Sequence, residues 1–218
     1  MAWFVAISGN IGAGKSTLTA ALSRRLGWRA CYEVVDDNPY LPDFYADMRR
    51  WSFALQVFFL SRRFQHHQEI ARSPVPVIQD RTIYEDAEIF ARNLYLQGLM
   101  DERDFRTYSD LFATMVGLLR PPDLVIHLQA SVPTLLERIR QRGRAYEQRI
   151  PPSYLAQLNE RYREWVDRFT LCPLLTVDAD RLDLDRLDPV VEAVQNRLGS
   201  GAAGGGAGPG SRREAWPT

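Results

Sequence analysis

Short runs of apolar and β-branched residues alternate along the chain with longer stretches in which apolar residues recur every three or four positions. The short runs predict buried strands and the longer stretches predict helices that pack on them. The predicted strands are Trp3–Ser8, Cys31–Val35, Val75–Gln79, Leu124–Leu128 and Leu174–Val177. The predicted helices are Lys15–Leu26, Met48–Arg72, Ile83–Gly98, Glu102–Leu119, Val132–Arg142, Ser153–Phe169 and Pro189–Leu198. This alternation predicts an α/β fold with a five-stranded parallel sheet flanked by helices.

The pattern stops near residue 199. From there to residue 218 the sequence is GSGAAGGGAGPGSRREAWPT, which offers little apolar surface to bury, so we expect a disordered tail. Residues 1–198 are expected to form one domain with a single core, because the chain has only 218 residues and 45% of them are hydrophobic.

Charge and composition exclude several classes of partner. Lys and Arg together number 27, as do Asp and Glu, so the chain has no overall field that would hold nucleic acid or an acidic membrane. No apolar run approaches the ~18 residues of a membrane helix, and no basic leader precedes the first strand. Cys31 and Cys172 lie in no metal-binding spacing. We therefore expect a reduced, cytoplasmic protein that binds neither nucleic acid nor membrane.

A phosphate-binding motif links the first predicted strand to the first predicted helix. The segment GNIGAGKST matches G-x-x-x-x-G-K-[ST], in which glycines let backbone N–H groups point at phosphate oxygens beside a helix N-terminus. Lys15 would neutralise the β and γ phosphates, and Ser16 would supply a ligand for Mg²⁺. The motif predicts that ATP and Mg²⁺ are bound, with these phosphate-site residues: Gly9, Asn10, Gly12, Ala13, Gly14, Lys15, Ser16 and Thr17. A glycine-rich turn without a ligand is the alternative.

Asp80 and Arg81 end the third predicted strand, in VPVIQDR, at the sheet edge where open α/β folds bind ligands. We predict that Asp80 is a second Mg²⁺ ligand, through water. The alternative is that Asp80 caps the following helix.

Three arginines cluster around a predicted helix end. Arg138 and Arg142 lie one turn apart, and Arg144 follows the helix-terminating Gly143. Such a cluster, at the start of a loop, predicts a lid that closes over transferring phosphates and supplies positive charge there. A solvated helix face is the alternative.

Two polar residues interrupt the apolar stripe of WSFALQVFFLSRRF. Phe53, Phe58 and Leu60 are expected to be mostly core, but Gln56 and Arg63 lie seven residues apart on the same helix face. Polar side chains are costly to bury without a partner, so both are candidates for binding a ligand.

Taken together, five segments resemble the deoxynucleoside kinase family, and the likeness runs from Phe4 to about Asp178. They are GNIGAGKST, EVVDDNPYLPDFY, RRWSFALQVFFLSRRF, QDRTIYEDAEIF and RGRAYEQ, with spacing similar to that of bacterial members. The resemblance implies a P-loop kinase fold with an arginine-rich lid. It also implies nucleotide salvage, in which the γ-phosphoryl group of ATP moves to the 5′-hydroxyl of a deoxynucleoside.

The resemblance further implies catalytic residues. Glu33 occupies the family's acidic position and would be the general base, with Asp36 and Asp37 as alternatives. Arg81 belongs to the family's D/E-R-S motif, in which Thr82 here replaces the usual Ser. It would hold the general base and the phosphoryl group in line.

Family positions also suggest how the base is bound. Gln56 would read the base, Arg63 would pair with Asp86, and Phe90 would stack on the base while Phe59 narrows the pocket.

Two further family positions would bind the sugar. Tyr45 and Glu147 would hydrogen-bond the 3′-hydroxyl, and an apolar wall would leave a ribose 2′-hydroxyl without a partner. A solvated lid residue is the alternative for Glu147.

The set of residues that would bind the nucleobase is similar to that of bacterial deoxyadenosine kinases, which often accept deoxycytidine. Deoxyadenosine is therefore the expected substrate. Deoxyguanosine kinase is the main alternative. A kinase for another small acceptor and a non-catalytic ATP-sensing module are the others. The resemblance also implies a homodimer, with the helices around Met48–Arg72 and Ile83–Gly98 at the contact.

Overall fold

The structure, a computed structural model, describes residues 2–32 and 38–203. Its centre is a parallel five-stranded sheet, as predicted. The strands are β1 (Phe4–Gly9), β2 (Arg29–Cys31), β3 (Val77–Asp80), β4 (Leu124–Gln129) and β5 (Leu174–Asp178). Across the sheet they lie in the order β2-β3-β1-β4-β5. Every residue of β1 is buried, because this strand lies in the middle of the sheet and is covered on both faces.

Strand register brings two predicted site segments to one edge of the sheet. Ile7 of β1 pairs with Asp80 of β3, and Gly9 pairs with Leu128 of β4. Because the strands are parallel, the loop after β1 and the end of β3 leave the sheet side by side.

The helices, in chain order, are α1 (Lys15–Leu26), α2 (Leu41–Ala46), α3 (Met48–Ala71), α4 (Ile83–Glu85), α5 (Arg92–Leu96), α6 (Glu102–Val116), α7 (Val132–Arg142), α8 (Pro152–Asp167) and α9 (Asp188–Ala203). A π-helical segment (Asp86–Ala91) joins α4 to α5, and a 3₁₀ turn (Glu147–Arg149) follows α7. Contacts join α1 to α9, and α3, α6 and α8 to the π segment.

Helix ends follow the sequence signals. α1 stops at Gly27 and α7 at Gly143, which take the left-handed conformation with φ of 68° and 71°. Ser131 caps α7 by accepting a hydrogen bond from the Thr134 amide. α4 begins at Thr82, which forms a capping box with Glu85. The alternative interpretation of Asp80 as a helix cap is therefore wrong.

Other boundaries differ from the predictions. β2 covers Arg29–Cys31, so it begins before the predicted start at Cys31, and residues 33–35 lie outside the described residues. α2 was not predicted, because its six residues are too few to show a helical period. α9 continues to Ala203, past the predicted end at Leu198, and the rest of the predicted tail lies outside the described residues.

Within residues 2–32 and 38–203, none of the helices combines the length and the apolar composition that a bilayer crossing requires.

Candidate active site

A cavity of about 650 Å³ opens at the carboxyl edge of the sheet, between the loop after β1, helices α2 and α3, the π segment and the segment after α7. Most of the predicted site residues line it: Gly12, Ala13, Gly14, Lys15, Ser16, Thr17, Tyr45, Gln56, Arg81, Asp86, Phe90, Arg138, Arg142, Arg144 and Glu147. Four others are outside this lining: Asn10, Arg63 and Asp80 bond to lining residues, and Gly9 ends β1 just before the loop. Glu33, Asp36 and Asp37 lie outside the described residues.

The loop after β1 has the backbone shape of a phosphate-binding loop. Gly12 and Gly14 have φ of 82° and 97°, a region that favours glycine. A Cβ on Gly12 would also lie 2.8 Å from the Leu135 carbonyl oxygen. The Lys15 ammonium donates to the Asn10 carbonyl oxygen at 2.8 Å. Asn10 in turn donates to the Leu155 carbonyl oxygen at 2.9 Å, which ties the loop to α8.

Ser16 and Asp80 form a donor set of the kind that Mg²⁺ takes. The Ser16 hydroxyl donates to Asp80 Oδ2 at 2.5 Å, and only 2% of Asp80 is exposed. A hydroxyl and a carboxylate oxygen are hard ligands, and Mg²⁺ in phosphoryl-transfer sites takes one or two such groups together with substrate phosphates. Over the described residues no group of three or more His, Cys, Asp or Glu side chains could hold a metal ion. The residues present therefore fit Mg²⁺ bound together with a nucleotide.

Arg81 is held in a strained conformation. Its φ is 67°, and it is the one non-glycine residue with positive φ in the part of the chain that is described. Left-handed backbone at such a residue costs about 1–3 kcal/mol and persists only when its surroundings fix it. The Arg81 amide donates to the Ile7 carbonyl oxygen at 2.8 Å, and the guanidinium lies 4.5 Å from the centre of the Phe90 ring. This arginine is fixed at the cavity wall by both its backbone and its side chain.

A buried ion pair adjoins the cavity, which Asp86 lines. Arg63 Nε donates to Asp86 Oδ2 at 2.5 Å, as predicted, and the two side chains are 5% and 3% exposed. Phe59 faces the same guanidinium, with 5.8 Å between the ring centre and Cζ of Arg63.

Gln56, also on α3, lines the cavity and is 3% exposed. Its Oε1 atom is buried and has no hydrogen-bond partner among the described residues. A buried acceptor without a donor costs about 1–3 kcal/mol, so its burial in a cavity wall points to a ligand that donates to it.

The π segment brings Asp86 and Phe90 to the cavity. In a π-helix each amide bonds the carbonyl five residues back, so the turn is wider than in an α-helix. Such turns are frequent at functional sites. Asp86 and Phe90 both line the cavity, although the sequence pattern had suggested an ordinary helix.

The segment after α7 links its arginines to an acidic residue. Glu147 Oε2 accepts from Arg142 Nε at 2.9 Å, and its Oε1 lies 3.5 Å from Arg144 Nη1. Only 5% of Glu147 is exposed, so the alternative of a solvated lid residue is wrong. Arg138 donates to the carbonyl oxygens of Ala13 at 2.9 Å and Ala179 at 2.7 Å, so it joins the phosphate loop to the segment after β5.

Comparison with known proteins identifies the family. The sequence model of the family described as deoxynucleoside kinase matches residues 5–200. The chain belongs to the deoxynucleoside kinase family. It is therefore an enzyme, a kinase that phosphorylates nucleosides with a nucleotide as phosphate donor.

Similar kinases differ in the substrates for which they are named. The chain is 39% identical over 198 residues to the deoxyadenosine/deoxycytidine kinase of Bacillus subtilis, with 90% of this chain and 91% of the relative covered. It is 40% identical over 188 residues to a deoxyguanosine kinase of Lactobacillus acidophilus, covering 82% of each. A solved structure of deoxyadenosine kinase from M. mycoides with bound dATP is similar at a TM-score of 0.80 and 33% identity, with 88% and 99% covered. The comparisons leave the base open.

Two residues of the kinase that the sequence did not single out lie directly beneath the phosphate loop. Glu85 is fully buried and accepts from the Gly9 amide at 3.2 Å and the Thr82 amide at 2.8 Å. Tyr162 of α8 places its hydroxyl 2.8 Å from Glu85 Oε1. The T-x-x-E spacing of Thr82 and Glu85, typical of a capping box, was the one signal that pointed to Glu85.

The sequence patterns also did not indicate several other residues that line the cavity of the kinase. Tyr146 stacks on Tyr45, with 5.9 Å between ring centres and 15° between planes. Burial raises the pKa of Tyr45 well above its usual value, and the nearby Tyr154 adds to the rise, so the phenol stays protonated. The remaining wall includes Leu41, Phe44, Leu55, Tyr154, Leu182 and Leu184, which are mostly apolar. Leu41, Phe44 and Leu55 lie in segments that carry the family resemblance, but apolar residues at helical spacing indicate core packing as readily as a cavity wall.

Proposed function

We propose that this kinase transfers the γ-phosphoryl group of ATP to the 5′-hydroxyl of deoxyadenosine, and that it also accepts deoxycytidine. The observation that carries the base assignment is the unpaired, buried Oε1 of Gln56 in the cavity wall.

Gln56 suits a base that presents an amino group beside a ring nitrogen. Its amide oxygen accepts from the amino group and its amide nitrogen donates to the ring nitrogen, a bidentate match to adenine or cytosine. Guanine presents a carbonyl oxygen where these bases carry the amino group. The ion pair of Arg63 and Asp86 adjoins the cavity, and Phe90 supplies a ring for stacking.

The phosphate groups of ATP would lie over the loop after β1. Lys15 carries the charge that offsets the β and γ phosphates, and Ser16 with Asp80 would hold Mg²⁺, Asp80 acting through water. Bound Mg²⁺ supplies charge neutralisation of the transferring group. The proposed phosphate ligands of the lid are Arg138, Arg142 and Arg144, which line the same cavity.

We propose Glu33 as the general base that accepts the 5′-hydroxyl proton, an assignment that rests on the family resemblance. Arg81 would orient the carboxylate and the phosphoryl group, since its guanidinium is fixed at the cavity wall. Replacement of Glu33 by Gln would lower kcat strongly while the affinity for ATP stays near that of the wild type.

Tyr45 and Glu147 would bind the 3′-hydroxyl of the sugar. Both line the cavity near the lid, where Glu147 also contacts Arg142 and Arg144. On the family resemblance, we expect ribonucleosides to be poor substrates, because a ribose 2′-hydroxyl would be left without a partner.

Homodimer formation and a cytoplasmic location stay predictions. Cys31 and Cys172 are free thiols, which is compatible with a reducing compartment. Leu96 lies in the predicted contact region of the dimer and is 55% exposed.

The base assignment is tested by Gln56→Glu. A carboxylate accepts but does not donate, so the variant loses the bond to the ring nitrogen of adenine. We expect kcat/KM for deoxyadenosine to fall by about 100-fold or more and the ratio of deoxyguanosine to deoxyadenosine turnover to rise. The control is Gln157→Glu, the same change at an exposed position on α8 outside the cavity. If Gln56→Glu keeps the wild-type order of bases, Gln56 does not read the base.

A further inference from the structure

Tyr162 lies on α8, behind the cavity wall, and only 2% of it is exposed. Its hydroxyl has two acceptors within hydrogen-bond distance, Glu85 Oε1 at 2.8 Å and the Gly9 carbonyl oxygen at 2.9 Å, and it accepts from Arg81 Nη1 at 3.0 Å. We propose that Tyr162 is a positioning residue for phosphoryl transfer, whose hydroxyl fixes the phosphate loop and Arg81 relative to each other. The proposal rests on the proposed function of the site, because Arg81 and the phosphate loop are assigned there to the two substrates.

The contacts fix the first residue of the phosphate loop from both sides. The Gly9 amide donates to Glu85 Oε1 at 3.2 Å, while the Gly9 carbonyl accepts from Tyr162. Both backbone polar groups of Gly9 are therefore tied to one buried cluster. Gly9 also packs closely against β4, since a Cβ there would lie 2.9 Å from the Leu128 carbonyl oxygen.

The same hydroxyl oxygen serves Arg81. A phenol has one proton, which is shared here between the Gly9 carbonyl oxygen and Glu85 Oε1, and its oxygen can accept from the guanidinium at the same time. Arg81 also lies 3.6 Å from Glu85, so its guanidinium is held by the cluster on one side and by Phe90 on the other. A link of this kind sets the distance between the group that holds the donor phosphates and the group that orients the acceptor. Displacement of either by about 1 Å is enough to slow a transfer reaction about 100-fold.

The hydroxyl remains a donor over the working pH range. Burial raises the pKa of Tyr162 well above its usual value, and nearby Glu85 raises it further, although Arg81 opposes the rise.

The tyrosine ring has separate packing contacts that a phenylalanine would keep. His127 stacks on it at 5.3 Å between ring centres, and Trp165 and Phe90 make edge contacts at 6.4 Å and 6.5 Å. Tyr162→Phe therefore removes the hydroxyl and preserves the packing. The matched control is Tyr84→Phe, which also deletes the hydroxyl of a buried tyrosine; Tyr84 packs edge-on against Phe112 and does not line the cavity.

The first test is steady-state kinetics of the full chain with ATP, Mg²⁺ and deoxyadenosine. We expect Tyr162→Phe to lower kcat by about 10- to 100-fold with both KM values within about threefold of the wild type, while Tyr84→Phe keeps the wild-type kcat. A purely structural role would not produce this division between kcat and KM. A kcat for Tyr162→Phe within twofold of the control, or a loss carried by KM alone, would overturn the proposal.

The second test needs no turnover. Hydrogen–deuterium exchange of the ligand-free protein follows the amides of residues 9–17, and we expect Tyr162→Phe to exchange there at least about threefold faster than Tyr84→Phe. If the wild type phosphorylates none of the deoxynucleosides but this acceleration is present, the proposed function fails and the positioning of the loop by Tyr162 stands. Equal exchange in the two variants would overturn the proposal.

Discussion

The buried ion pair between Arg63 and Asp86 gives a sharp prediction for stability. Asp86→Asn removes one charge of a pair whose side chains are 5% and 3% exposed, so water cannot screen the charge that remains on Arg63. Removal of one partner from such a pair costs about 3–5 kcal/mol. The Asn oxygen can still accept from Arg63 Nε, so we expect the lower end, about 3 kcal/mol. For a domain of this size that corresponds to a fall in Tm of roughly 6–12 °C.

Urea unfolding of the wild type and the variant measures this loss directly. The control is Glu160→Gln, the same change of carboxylate to amide in the pair with Arg163, whose side chains are 41% and 66% exposed. Exposed pairs contribute little, so the control is expected within about 0.5 kcal/mol of the wild type. Arg63→Met added to Asp86→Asn should restore part of the stability, because the buried cation is then removed together with the buried carboxylate. A loss below about 1 kcal/mol for Asp86→Asn would refute the reasoning.

Three further measurements address the loop, the core and the lid. Gly12→Ala meets both positive φ and a carbonyl oxygen at 2.8 Å, so we expect it to abolish tight ATP binding by calorimetry, whereas Gly27→Ala, with positive φ and open space, should keep it. Burial lowers the pKa of His127 to about 4, below the usual 6.5, so the unfolded chain binds a proton that the native state does not. Native stability should therefore fall by roughly 3 kcal/mol as pH drops from about 6.5 to 4, and His127→Gln should show a shallower fall in urea unfolding. Tyr146→Ala, which removes the ring stacked on Tyr45, should raise KM for deoxyadenosine about tenfold, while Tyr146→Phe should leave it unchanged; an equal effect of both variants would contradict the stacking role.

The sheet and the phosphate loop could be predicted because their signals are local. A buried parallel strand appears as a continuous apolar run, and the loop that follows β1 needs glycine at positions that a short motif records. The pairing of Arg63 with Asp86 was also predicted, since a family pattern had placed both near one ligand.

The cluster beneath the loop could not be predicted in the same way. Tyr162 is 153 positions from Gly9 and 77 from Glu85, and it lies in a helix whose apolar period suggests only packing. A contact across such a distance depends on how the helices are arranged around the sheet, which the period of one helix does not contain.

The π-helical segment at Asp86–Ala91 could not be predicted from the sequence for a related reason. A π-helical segment differs from an α-helix by one residue in its hydrogen-bonding step, and the apolar spacing of DAEIFA is compatible with both. The sequence does not predict the strained backbone at Arg81 either. Contacts with Ile7 and Tyr162, and not the residue type, hold Arg81 in the left-handed conformation.

The central claim is that the cavity binds a deoxynucleoside through Gln56 and phosphorylates it from ATP. The most direct measurement is phosphoryl transfer with ATP and Mg²⁺, in which deoxyadenosine, deoxycytidine, deoxyguanosine and thymidine are compared in parallel with adenosine as the ribose control. We predict the highest kcat/KM for deoxyadenosine, measurable turnover of deoxycytidine, and a value for adenosine lower by about 100-fold. Deoxyguanosine in first place would contradict the reading of the base by Gln56, and no turnover of any deoxynucleoside would contradict the account as a whole.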